Sequence, residues 1–168
     1  PVWLFPDQER QPGKGIPGRL QRYLETDGYQ GYNSLPGIKR CSCWAHIRRY
    51  FIDAVPKGKQ YDYSQPAVQG VQYCSRLFVI EDSINKKYPG DYKKRGQLRI
   101  EKEKPVLEAF WSWLNQQKPV LNTRMDKAVN YVLNRRGTAE TYLEDGRLYI
   151  TVKMYPCSGG TDTGSPEL

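Results

Sequence analysis

Beyond residues 56–66 the hydrophobic period of this chain is helical for most of the remaining length. Before that stretch, apolar residues alternate with polar ones, except in one short run over 45–55. After it they recur every three to four residues. Alternation is the mark of a half-buried strand, and the longer period is that of a helix with one buried face. A strand-rich start followed by a helix-rich remainder restricts the chain to a mixed α/β class. Residues 1–6 and 19–27 read as strands. Residues 38–44 read as a third, with Ile38, Arg40, Ser42 and Trp44 on one face and Cys41 and Cys43 on the other. A helix follows over 45–55, where Ile47, Phe51 and Val55 are four apart and Pro56 ends the run. Residues 56–66 read as a mobile link.

Beyond the link, Val71, Cys74, Leu77 and Phe78 define one helical face. Leu107, Phe110, Trp111 and Leu114 define a second. Met125, Ala128, Val129, Val132 and Leu133 define a third, with Asn122 or Thr123 as its cap and Gly137 as its stop. The basic run Lys93-Lys94-Arg95 reads as a connection between the first two of these helices. The segment from Tyr155 onward is nearly devoid of apolar residues. It cannot bury enough surface to offset the entropy of ordering, so disorder is expected over 151–168.

With 168 residues the chain can build one real core. It carries a formal net charge of +8, and the excess is concentrated. Residues 39–59 hold six basic side chains against one acid, and residues 86–104 hold eight against three. Each stretch is therefore +5, which is the footprint of a polyanion binder. No apolar run is long enough to cross a membrane, so no membrane partner is expected. Four cysteines without regular spacing do not make a secreted disulfide framework, and they imply a reducing, cytoplasmic compartment.

Three groups of residues could carry chemistry. Asp27 stands at the end of a strand, in Thr26-Asp27-Gly28-Tyr29-Gln30-Gly31-Tyr32. A carboxylate there is held by a rigid element and can face a metal ion or a phosphate, although Asp-Gly is also an ordinary turn. Cys41, Cys43 and His46 offer two thiols and one imidazole, but their spacing lacks the second pair of ligands that structural zinc requires. Glu140, Glu144 and Asp145 form an acidic set, of which Glu144-Asp145-Gly146 reads as a turn. Charge marks Lys39, Arg40, Arg48, Arg49, Lys93, Lys94 and Arg95 as candidate nucleic-acid contacts, and the imidazole of His46 could join them as a phosphate contact. No phosphate-binding glycine loop and no dinucleotide fingerprint occurs.

Five blocks then follow in order. They are Thr26-Asp27-Gly28-Tyr29-Gln30-Gly31-Tyr32, Cys43-Trp44-Ala45-His46-Ile47-Arg48-Arg49, Lys104-Pro105-Val106-Leu107-Glu108-Ala109-Phe110-Trp111, Lys127-Ala128-Val129-Asn130-Tyr131 and Leu143-Glu144-Asp145-Gly146-Arg147. Over roughly residues 20–150 the series resembles the central part of transposases of the insertion sequence 66 family.

The resemblance implies an RNase H-like catalytic core, incomplete here, with a large helical insertion over about 66–117. Such cores use two Asp and one Glu to hold divalent metal, Mg or Mn, and they cut and join DNA by in-line attack at phosphorus. The family's second acid falls on Asp27, which is thereby the expected catalytic and metal-binding residue. Its first acid would lie upstream of residue 1. Its Glu would lie near position 156, which is Pro156. The implied partners are DNA, a second copy of the chain and other proteins of the same element.

On this reading, residues 1–150 are a partial catalytic domain, and the chain alone neither cleaves nor joins DNA. The loss of likeness near Ile150 motivates the hypothesis of a frameshifted or truncated gene copy. Family-like residues in the neighbouring reading frame would support it, and their absence would sink it. The competing expectation is a non-enzymatic, basic nucleic-acid-binding module.

Overall fold

The computed structural model describes residues 3–4, 22–26, 38–148 and 150. Three strands form one mixed sheet: β1 (Trp3–Leu4), β2 (Arg22–Thr26) and β3 (Ile38–Ser42). Their order is β1-β2-β3, with β1 antiparallel and β3 parallel to the central strand. The parallel pair is in register from Arg22 opposite Ile38 to Thr26 opposite Ser42. The ends of β2 and β3 therefore lie level with each other.

Six helices occupy the described remainder: α1 (Trp44–Ala54), α2 (Pro66–Lys87), α3 (Tyr92–Lys102), α4 (Lys104–Asn115), α5 (Arg124–Leu133) and the short α6 (Arg136–Ala139). A single 3-10 turn follows at Thr141–Leu143. The expected α/β class is present, with helix dominant. Three strands do not by themselves define an RNase H-like core.

The helices form where the side chains provide both a stripe and a start. Thr123 caps α5 by accepting from the Asp126 amide at 3.1 Å, and Asp91 caps α3 by accepting from the Lys94 amide at 2.9 Å. Pro66 opens α2 at a position where its missing N–H costs nothing. The link before it is a succession of turns, not a loose strap. Lys59 donates its amide to Pro56, Asp62 to Lys59 and Gln65 to Asp62, each at 3.0 Å. The Asp62 carboxylate accepts from the Ser64 amide and hydroxyl and from the Gln65 side chain, which holds it down at about 2.

One core joins sheet and helices. Trp44, Ile47 and Phe51 of α1 are buried against Phe110, Trp111 and Leu114 of α4 and Cys74 and Leu77 of α2. Trp44 meets Phe110 edge to face at 5.6 Å, and Phe51 meets it the same way at 6.2 Å. Gly70 is what lets α2 approach α1. A β-carbon there would stand 2.5 Å from the Phe51 ring.

Three readings of element bounds need correction. The third strand ends at Ser42, and Trp44, read as part of its face, opens α1. The basic run at 93–95 is not a connection but the first turn of α3. Gly137 does not stop the last long helix, because α5 ends at Leu133 and Gly137 lies inside α6.

Candidate functional site

Asp27, the Gly28 turn and the tail over 151–168 lie outside the described residues. What can be built is the setting around the end of β2. Thr26 is level with Ser42, whose hydroxyl is 2.6 Å from that of Thr138. Trp44 donates its indole N–H to the Ala139 carbonyl at 2.9 Å. The strand ends and the α6 segment are thus fastened side by side through the core.

The block from Cys43 to Arg49 divides by depth. Trp44 and Ile47 are core. Cys43, His46 and Arg48 are half-buried, and Arg49 is exposed. Arg48 donates its Nε to the Ser75 hydroxyl at 3.2 Å, tying α1 to α2. Arg49 lies 3.9 Å from Asp53, an exposed pair worth little. Cys41 and Cys74 are buried, and burial pushes the Cys74 thiol up to about 12. Among the described residues, no three His, Cys, Asp or Glu side chains converge as a metal ion would need. Cys41, Cys43 and His46 are therefore not brought together as three converging ligands.

Two of the three acids in the C-terminal set, Glu144 and Asp145, are committed elsewhere. Glu144 pairs with Lys39 of β3 across the surface. Asp145 accepts from the Arg147 guanidinium at 2.7 Å, and the hydrogen bonds from Arg147 hold its carboxyl below the usual range. Since a metal pair requires converging carboxylates, the described residues do not hold one.

A buried ionic cluster explains the block Leu143 to Arg147. Glu81 of α2 and Arg95, Arg99 and Glu103 of the α3 region are each at most 1% exposed. Arg99 binds Glu81 with two donors, Nε to Oε2 at 2.9 Å and Nη2 to Oε1 at 2.5 Å. Its Nη1 donates to the carbonyls of Tyr142 at 2.9 Å and Asp145 at 3.1 Å, and Nη2 also donates to that of Leu148. One guanidinium thus clamps residues 142–148 onto α2 and α3. Gly146 permits the contact, because a β-carbon there would stand 1.9 Å from the Tyr92 carbonyl oxygen.

Burial opposes charge on Glu81, but hydrogen bonds and charge from Arg99 outweigh it and hold the carboxyl below its usual range. Glu103 has the opposite fate. Burial and the neighbouring Glu81 carboxylate push it up to about 8. The cluster is closed to solvent, so it holds the fold and meets no substrate.

Charge alone misplaces one candidate DNA contact. Arg95 donates to Glu81 at 3.2 Å and to the Leu148 carbonyl at 3.3 Å, deep inside the protein, where a phosphate cannot reach it. Lys93 is exposed, Lys94, Lys39 and Arg40 are half-buried, and Lys39 is engaged with Glu144.

Sequence reasoning also passed over one half-buried arrangement with an exposed end at Tyr50. Tyr50 of α1 stacks on Tyr131 of α5, with centroids 3.8 Å apart and planes 20° apart. The Arg135 guanidinium lies 3.6 Å from the Tyr131 centroid. The signal for it was faint: Tyr131 closes the block Lys127-Ala128-Val129-Asn130-Tyr131, and Tyr50 follows Arg48-Arg49.

The described residues thus define a basic α/β domain whose C-terminal segment is clamped to its helices by buried charge. The family model for the Transposase IS66 family matches residues 6–152, and the chain belongs to that family. The match extends further toward the N-terminus than the five blocks do. Among curated proteins, the chain is similar to the uncharacterized protein y4qI of Sinorhizobium fredii (strain NBRC 101917 / NGR234). The two are 30% identical over 139 residues, which is 76% of this chain and 24% of that protein. It is also similar to the uncharacterized protein y4hP of the same strain, 26% identical over 145 residues, covering 76% of this chain and 26% of the relative. The chain thus spans about a quarter of the length of the curated relatives it matches. No solved structure matches it. Among the described residues, no helix is long and apolar enough to cross a membrane.

Proposed function

We propose that this chain is part of the DNA-processing core of a transposase, and that Asp27 is one of the carboxylates holding divalent metal in the longer protein. Family membership carries this reading. It is supported by β2 and β3, a parallel pair whose strand before Asp27 ends level with β3. A carboxylate directly after a central strand is positioned by the sheet, as phosphoryl transfer to a fixed metal requires.

On this reading residues 1–150 are a partial RNase H-like domain, α2 to α4 are the insertion over about 66–117, and 151–168 is a divergent tail. DNA is the partner. Lys39, Arg40, His46, Arg48, Arg49, Lys93 and Lys94 face its backbone, and Mg or Mn is the metal. The activity is strand cleavage and joining by the longer protein. This chain by itself binds DNA.

The experiment is a salt titration of DNA binding by the chain, beside strand transfer by the longer protein. Log affinity should fall linearly with log salt, and Asp27→Ala should leave binding unchanged while abolishing transfer. Affinity that is independent of salt would refute the DNA reading. Transfer that survives Asp27→Ala would leave the non-enzymatic module as the better account.

A further inference from the structure

We propose that the outer face of Tyr50 is a stacking site for an unpaired base of single-stranded DNA. The proposal rests on the DNA reading above and assigns it a contact that the basic residues do not supply. Tyr131 has Tyr50 at 3.8 Å and the Arg135 guanidinium at 3.6 Å from its centroid. Two groups so close cannot share one ring face, so the order is Arg135, Tyr131, Tyr50. Both faces of Tyr131 are taken. Tyr50, 37% exposed, has no other ring neighbour among the described residues.

The stack is anchored in two helices that already pack together, α1 and α5. A base added to a ring that is held in place loses only its own freedom, which is the advantage of a preorganised site. Every base has a π face, so the site tolerates any sequence.

Polar groups stand beside the ring. A cleft of about 370 Å³ is lined by Tyr50, Asp53, Arg124 and Lys127. Arg124 donates its Nη1 to the Asp53 carbonyl at 3.2 Å, which fixes the guanidinium at the rim. Lys127 lies three residues further along α5, on the same side of the helix. The two cations take the phosphates flanking the stacked base. The exposed Asp53 carboxylate accepts from an amino group on the base edge. Bases in a duplex have their faces covered by their neighbours and cannot use Tyr50, so the ligand is single-stranded.

The test uses the full chain with short single-stranded oligonucleotides carrying one 2-aminopurine, whose fluorescence is quenched on stacking, and with a duplex of the same length. Tyr50→Ala should weaken single-strand binding roughly 5- to 150-fold and remove the quenching. Tyr50→Phe should restore both, and duplex affinity should not change. Lys127→Ala should lower the single-strand salt slope by about 0.7. Single-strand binding that is indifferent to Tyr50→Ala would overturn this site and leave the DNA reading intact. Absence of binding to either single strands or duplex would overturn both.

Discussion

Replacing Glu81 by Gln tests the clamp most sharply. The substitution keeps the shape of the side chain and removes its charge. In the native protein that carboxylate receives two donors from Arg99, one from Arg95 at 3.2 Å and one from Asn85 at 3.1 Å. The substituted amide would present an N–H to one of these donors and leave two guanidinium ions buried without a full counter-charge. Removing one partner of a buried pair costs about 3–5 kcal/mol. For a domain of this size that corresponds to roughly 6–20 °C in melting temperature.

Thermal and urea unfolding, followed by circular dichroism, give the cost directly. Asp82→Asn is the control, because its pair with Lys86 is exposed on the same helix and should be worth under about 1 kcal/mol. A Glu81→Gln protein within about 1 kcal/mol of the parent would refute the assignment of Glu81 as the anchor of the cluster.

Other outcomes follow from the same geometry. Gly146→Ala should destabilise by about 1–3 kcal/mol or more, since two backbones must separate; an unchanged urea midpoint would contradict the close approach to Tyr92. Glu103 has its folded pKa raised to about 8, so the native state holds a proton that the unfolded chain releases near 4.3. Its contribution to stability is therefore complete below the unfolded value and is lost as pH rises toward 8, at up to about 1.4 kcal/mol per pH unit. Glu103→Gln should flatten that decline, and an unaltered pH profile of stability would refute the role. Cys74, buried with its thiol pushed up to about 12, should resist alkylation in the native protein at neutral pH and react only after unfolding, as mass spectrometry would read.

Periodicity made much of this fold legible. The stripe of α4 stands in the sequence as it stands in the core; those of α1 and α5 do so except for Val55, which lies past the end of α1, and Leu133, which is exposed, and Thr123 was one of two candidates for the cap it forms. α3 was not legible, for a physical reason. Six of its eleven residues are charged, and its inward stripe is Arg95, Leu98 and Arg99, continued by Glu103. Those positions have helical spacing, but Arg95 and Arg99 are buried by charge pairing with Glu81 instead of apolar transfer. The carboxylate that makes this possible is Glu81, on another helix. A hydrophobic period cannot register a partner so distant in sequence. The same blindness placed Arg95 on the surface. Leu143-Glu144-Asp145-Gly146-Arg147 was visible as a block, but its role depends on backbone carbonyls in and beside it that accept from Arg99, which no side-chain pattern encodes.

The central functional claim concerns Asp27. Its most direct test is strand transfer with Mg or Mn by the longer protein carrying Asp27→Asn, compared with the parent and with Glu108→Gln, an exposed carboxylate on α4. The account predicts that Asp27→Asn abolishes joining while the DNA affinity of this chain stays unchanged, and that Glu108→Gln behaves as the parent. Joining at the parental rate by the Asp27→Asn protein would contradict it.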